Sequence, residues 1–108
     1  TPEGVENIDK IASVDGLDGI FIGPSDLSTS MGHFFNPKAP EVQEAIHKVE
    51  CVVKEKGKFL ATIAPNIDAA AALYDRGYSL VYFLSDVGAV ANAAQAAVKR
   101  FKELYRNQ

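Results

Sequence analysis

Apolar residues recur along this chain in two alternating rhythms, and the alternation predicts its elements. Val5, Ile8, Ile11 and Ala12 fall at helical spacing behind Thr1-Pro2-Glu3, where a hydroxyl can cap, a proline suits the first helical position and an acid suits the helix dipole. Gly16 predicts a left-handed stop. Ile20-Phe21-Ile22, framed by Gly19 and by Gly23-Pro24, reads as a short buried strand. From Glu41 to Lys56 the stripe Val42, Ala45, Ile46, Val49, Val52 and Val53 opposes Glu and Lys, with Gly57 as the stop, which predicts an amphipathic helix. Lys58 to Ala64 forms a second apolar strand. Asn66 then caps a helix carrying Ala69, Ala70, Leu73 and Tyr74, ended by Gly77. Tyr78 to Leu84 is a third strand, and Asp86 caps a long helix with the inner stripe Val87, Val90, Ala91, Ala94, Ala97, Val98, Phe101 and Leu104. Between Pro24 and Pro40 no period is sustained, so this stretch reads as a long connection with at most a helical turn, a length that usually serves function.

The resulting order is α-β-α-β-α-β-α. Its strands are continuously apolar rather than alternating, as expected of parallel strands covered by helices, and this predicts an α/β fold. A parallel sheet of so few strands leaves both edges open, so further strands are expected from a longer chain or a partner. The single methionine is Met31, so the sequence opens at Thr1 without a start residue, and this too suggests a piece of something longer.

Composition narrows the function classes. At 108 residues, 47% of them hydrophobic, the chain can bury a core, yet no apolar run approaches the ~20 residues of a membrane span and no signal-peptide layout opens it. A soluble, cytoplasmic protein without a membrane partner is expected. Eleven Lys and Arg against fourteen Asp and Glu leave a net charge of −3, the wrong sign for a phosphate-binding surface, so nucleic acid is not an expected partner. The lone Cys51 excludes an internal disulfide and a Cys-rich metal knuckle, and fits a reducing compartment.

In parallel α/β folds ligands gather at the carboxyl ends of the strands. The richest such end is Gly23-Pro24-Ser25-Asp26-Leu27-Ser28, where backbone amides can hold a small anion and the Asp26 carboxylate a hard divalent cation. On spacing alone, capping of a helical turn by Ser25 or Asp26 is an equal reading. Ser85 and Asp86 have the same ambiguity, with capping favoured. His47, among Glu44, Lys48 and Glu50, reads as part of a solvated helix face, His33 as a passive loop residue near the site, and Cys51 as a small near-core residue. Gly23 lacks the further glycines of a dinucleotide fingerprint.

The stretch Val5 to Ala12 together with Gly16-Leu17-Asp18-Gly19-Ile20-Phe21-Ile22-Gly23-Pro24-Ser25-Asp26-Leu27-Ser28 resembles the HpcH/HpaI aldolase family, and the likeness runs on through Pro40-Glu41-Val42, Ala64-Pro65 and Ser85-Asp86 to Phe101-Lys102. The resemblance implies the C-terminal portion of a TIM (β/α)8 barrel, with residues 1–108 as one partial barrel unit lacking its N-terminal half. It implies an aldolase that binds pyruvate or another 2-keto acid on Mg²⁺, Mn²⁺ or Co²⁺ and makes or cleaves a carbon–carbon bond to an aldehyde, in a homo-oligomer. Carried over by motif, Asp26 is the metal ligand, and the backbone N–H groups of Ser25 and Asp26 hold the keto-acid carboxylate. The family's second metal carboxylate, its catalytic His and its Arg belong upstream of Thr1, so no catalytic residue is expected in this portion. Ala61 stands where many members have Gly, and Tyr82-Phe83-Leu84 replaces smaller residues. An acyl-ester lyase is disfavoured, since nothing resembles a coenzyme pocket. The alternative from another class is a non-catalytic half-barrel that assembles through its open edges.

Overall fold

In a computed structural model, residues 1–106 are described. The Thr1 hydroxyl accepts from the Gly4 amide at 3.1 Å and starts α1 (Pro2–Glu6), with proline in the first turn. The helix expected to run unbroken toward Gly16 divides at Asn7, where φ is −91° and ψ is 10°. The Asn7 side chain donates back to the Glu3 carbonyl at 3.0 Å, the local competition that makes asparagine a poor mid-helix residue. The chain resumes as α2 (Ile8–Ala12), which buries Ile8 and Ala12. The predicted stops hold: Gly16, Gly57 and Gly77 all have positive φ, of 84°, 68° and 98°.

After β1 (Gly19–Ile22) the expected loop is in part a helix, α3 (Pro24–Ser30). Pro24 supplies its first turn, and the Ser28 and Ser30 hydroxyls donate back to the carbonyls of Ser25 and Asp26. Seven residues are too few for a period to register, which is why the element escapes sequence reading. The main helix, α4 (Pro40–Glu55), buries Val42, Ile46, Val49 and Val53, the stripe that its spacing predicts. Next come β2 (Phe59–Ile63), α5 (Ile67–Asp75), β3 (Leu80–Tyr82) and α6 (Asp86–Tyr105). The third strand is shorter than its apolar run suggests. Tyr78 is spent as a buried anchor ahead of it, and Phe83 and Leu84 run on beyond it, exposed.

The three strands form one parallel sheet in the order β1-β2-β3, with Ile22 opposite Thr62 and Thr62 opposite Val81. Thr62, fully buried, donates its hydroxyl to the Ile22 carbonyl at 2.8 Å and ties β2 to β1. Helix α4 packs on β1 and β2, and α5 packs on β3. The core lies between these helices and Ile22, Leu60, Thr62 and Val81.

The helices cover one face of the sheet. Among the described residues the other face is bare: Phe21, Phe59, Ile63, Leu80 and Tyr82 are each between 42% and 55% exposed. Ala61 belongs to that face by register but is only 3% exposed. Its neighbours are Phe21 on one side and Leu80, two residues before Tyr82, on the other, and the Phe21 and Tyr82 rings approach to 6.1 Å. Strands two apart in a sheet are separated by almost 10 Å, so the two rings must lean inward over β2, and a small residue beneath them makes that lean feasible. Gly19 has a similar role, since a Cβ there would collide with the Phe59 ring lying across it.

The inner stripe expected along α6 has no inner side. The helix buries no residue, and Val90, Phe101 and Leu104 are 71%, 62% and 59% exposed. It runs out from the body of a molecule measuring 63 × 28 × 21 Å. Its stripe is amphipathic but has nothing in the described residues to pack against. No described helix is long and apolar enough to cross a membrane.

Candidate functional site

Everything the sequence marks as chemical near a strand end gathers at the carboxyl end of the sheet. Gly23, with φ −99° and ψ 93°, is the N-cap of α3, and Leu27 is the first amide to find a helical carbonyl, that of Gly23 at 2.9 Å. The Ser25 and Asp26 amides lie ahead of it in the first turn, where a helix offers no internal acceptor. Asp26 is exposed, and its carboxylate makes no hydrogen bond or ion pair among the described residues. One carboxylate oxygen stands 3.2 Å from where a Cβ on Gly23 would be, so glycine is what lets the acid fold back over the strand end.

The two predicted site residues part company at their side chains. Asp26 lines a hollow of about 350 Å³ beside the free edge of β1, shared with Thr1, Val5, Phe21 and Gly23. Ser25 lines a separate open groove of about 930 Å³ across the ends of β2 and β3, with Ala64, Asn66, Leu84 and Ser85. What they hold in common is the adjacent pair of backbone amides. No group of three or more His, Cys, Asp or Glu side chains is placed to hold a metal among the described residues, so Asp26 is available to a cation as a single ligand. An exposed, unpaired carboxylate fits that use, because hard divalent ions take one or two carboxylates and complete their shell with water or substrate oxygen.

Other candidates resolve into structural roles. Asn66 caps α5 as predicted, accepting from the Ala69 amide at 2.9 Å. At α6 the cap is Ser85, whose hydroxyl accepts from Gly88 at 3.0 Å, and Asp86 is the first helical residue, accepting from the Val87 amide. The assignment of the cap to Asp86 is thereby corrected by one position. His33 faces Glu41 at 3.6 Å, across the connection that leads into α4, and lines neither hollow.

The face around His47 departs from expectation. His47 itself is exposed, but Glu50, expected on the same solvated face, is buried at 4% exposure. Its carboxylate accepts from Arg76 and, at 2.7 Å, from the buried Tyr78 hydroxyl, while Lys54 donates to the Arg76 carbonyl. Burial pushes the Glu50 carboxyl upward, but the Arg76 and Tyr78 hydrogen bonds with the Arg76 and Lys54 charges outweigh it, and the net shift is downward. Tyr78 moves the other way, raised by burial and by its bond to a carboxylate. The cluster clamps α4 to the turn between α5 and β3. A signal for it exists in the sequence: Ile46, Glu50 and Val53 share one helical stripe by spacing. Cys51, expected near the core, is exposed.

The family profile of HpcH/HpaI aldolase/citrate lyase matches residues 1–93. A 5-keto-4-deoxy-D-glucarate aldolase of Enterobacter sp. (strain 638) is 43% identical over 101 residues, covering 93% of this chain and 39% of that protein. One from Citrobacter koseri is 40% identical over 102 residues, covering 94% of this chain and 39% of its own. The crystal structure of an HpcH/HpaI aldolase/citrate lyase family protein from Burkholderia cenocepacia J2315 superposes with a TM-score of 0.83 at 30% identity, over 92% of this chain and 38% of that one. The chain thus spans about 39% of the length of the curated relatives it matches.

Proposed function

Because the chain belongs to the HpcH/HpaI aldolase/citrate lyase family, we propose that it forms the C-terminal part of a (β/α) barrel aldolase, cytoplasmic and divalent-metal-dependent. The reaction joins or parts pyruvate, or a related 2-keto acid, and an aldehyde. The single observation that carries this reading is the unpaired Asp26 carboxylate, set at the end of β1 and opening onto the hollow beside that strand's free edge. A strand added at that edge would bring its own carboxyl end next to Asp26. The bare sheet face supports the barrel, since Phe21, Ile63 and Tyr82 are what a closed barrel turns inward. A barrel takes roughly 250 residues, and three strands are an arc of one.

In this reading Asp26 would hold Mg²⁺, Mn²⁺ or Co²⁺, and the Ser25 and Asp26 amides would fix the substrate carboxylate. When bound, such a cation would supply Lewis-acid stabilisation of negative charge on the keto acid. The amides set substrate orientation, and the groove holding Phe83 and Leu84 limits the size of the aldehyde portion. The base and the charge-stabilising Arg come from the preceding part of the barrel. Relatives named as 5-keto-4-deoxy-D-glucarate aldolases point to a sugar-acid substrate class. Pyruvate release from such an acid, followed in a coupled assay on a protein carrying both barrel parts, is expected to fall at least about 100-fold in Asp26→Asn with metal dependence lost. Unchanged metal affinity in that variant would make Asp26 a structural acid only. The 108-residue chain alone is expected to show no turnover.

A second reading rests on α6 and the two free strand edges: a half-barrel that assembles with itself or with a separate first half, without catalysis. Self-association that ignores Mg²⁺ and pyruvate, together with an inactive reconstituted barrel, would favour it.

A further inference from the structure

The outer face of α4 carries a side-chain pair that the aldolase reading leaves unused. His47 and Cys51 are one helical turn apart, both exposed, and neither lines the groove or the hollow at the strand ends. Their Nε2 and Sγ atoms stand 3.6 Å apart. Zinc binds thiolate sulfur at about 2.3 Å and imidazole nitrogen at about 2.0–2.1 Å, and a tetrahedral angle between those bonds separates the two donors by about 3.6 Å. The pair, which shares a long sulfur–nitrogen hydrogen bond, is therefore already at the donor spacing that a tetrahedral soft cation requires.

The far side of the imidazole is also arranged. His47 Nδ1 faces Glu50 Oε2 at 3.8 Å. The other Glu50 oxygen is fixed by Arg76 and Tyr78, so this carboxylate cannot swing away. A histidine that ligates through Nε2 carries its proton on Nδ1, and a fixed carboxylate on that side of the ring favours this tautomer electrostatically, at a separation longer than a hydrogen bond.

We propose that His47 and Cys51 form a two-ligand surface site for a soft or borderline divalent cation of the zinc type, with the Glu50 carboxylate behind His47 and with water completing the shell. On binding, the Cys51 thiol gives its proton to solvent and the sulfur lone pair goes to the metal, while neutral His47 donates the Nε2 pair. The site is distinct in chemistry from Asp26, whose lone oxygen donors suit hard cations.

The test is titration of the chain with Zn²⁺, followed calorimetrically, and with Co²⁺, followed by the thiolate-to-metal charge-transfer absorption, both in excess Mg²⁺ to saturate oxygen-donor sites. A charge-transfer band is expected in the parent chain and none in Cys51→Ser, while His47→Ala should weaken Zn²⁺ binding about tenfold or more. Both positions are exposed, and far-ultraviolet circular dichroism is expected to be unchanged in both variants. Absence of the band in the parent, or Zn²⁺ affinity equal to the parent's in His47→Ala, would overturn the site.

Discussion

Glu50 sits on the inner stripe of α4 by spacing and yet is a carboxylate, and its burial obliges Arg76 and Tyr78 to meet it. Its folded-state pKa lies below its ordinary value of 4.5, so its contribution is complete above the normal glutamate range and is lost as pH falls through the lowered value. Glu50→Gln is expected to lower stability by about 1–3 kcal/mol at neutral pH, because Arg76 loses its charged partner but, being half exposed, stays hydrated. The deficit should shrink under acid conditions, and urea melts of parent and variant at neutral and acid pH would reveal it. At this scale the caps at Thr1 and Asn66 were legible because each is the one capable oxygen at its position. Ser85 and Asp86 stand side by side with equal chemistry, and only backbone geometry chooses between them. Glu50 reads as solvated because a run of polar residues on a helix looks exposed until the phase of the stripe is followed. Cys51 reads as near-core because it lies between Val49 and Val52 in sequence, although it is exposed.

Helices and strands were legible in proportion to their length. The sixteen residues of α4 give the apolar period several turns in which to repeat, whereas α3 has seven and hides within a run of turn-forming residues. The strands announced themselves as apolar runs, but a run cannot reveal that one of its faces is bare. That depends on which other strands are present, and Phe21, Phe59 and Tyr82 read the same in either case. Ala61 gives the sheet a direct test. Ala61→Leu would lift the Phe21 and Tyr82 rings apart and is expected to cost about 1–3 kcal/mol, with loss of near-ultraviolet circular dichroism from Tyr82. A chain melting as the parent does, with its aromatic signal intact, would show that the rings do not depend on the small residue beneath them.

Over the molecule as a whole, α/β order and parallel pairing followed from sequence, but the destination of α6 did not. Its stripe of Val90, Val98, Phe101 and Leu104 reads as an inner one, yet it is exposed, because amphipathicity is blind to which surface receives it. About 30 Å of helix with its apolar side in water is an unfavourable state that association would relieve. On sedimentation the chain is expected to run larger than a monomer, and Val98→Glu with Phe101→Glu is expected to return it toward monomer while leaving the thermal melt of the body in place. A monomeric parent would remove assembly through α6 from consideration.

The one-sided sheet has a practical consequence for anyone handling this chain. A bare apolar face bounded by two unpaired strand edges is a template for irreversible clumping, most of all at high concentration or on warming. Because Leu60, Thr62 and Val81 carry the core and Phe59, Ile63 and Leu80 do not, the remedy is separable from the fold. Lysine or threonine at the second set would improve shelf life at little cost to folding, and the same exchanges would ruin a closed barrel from within.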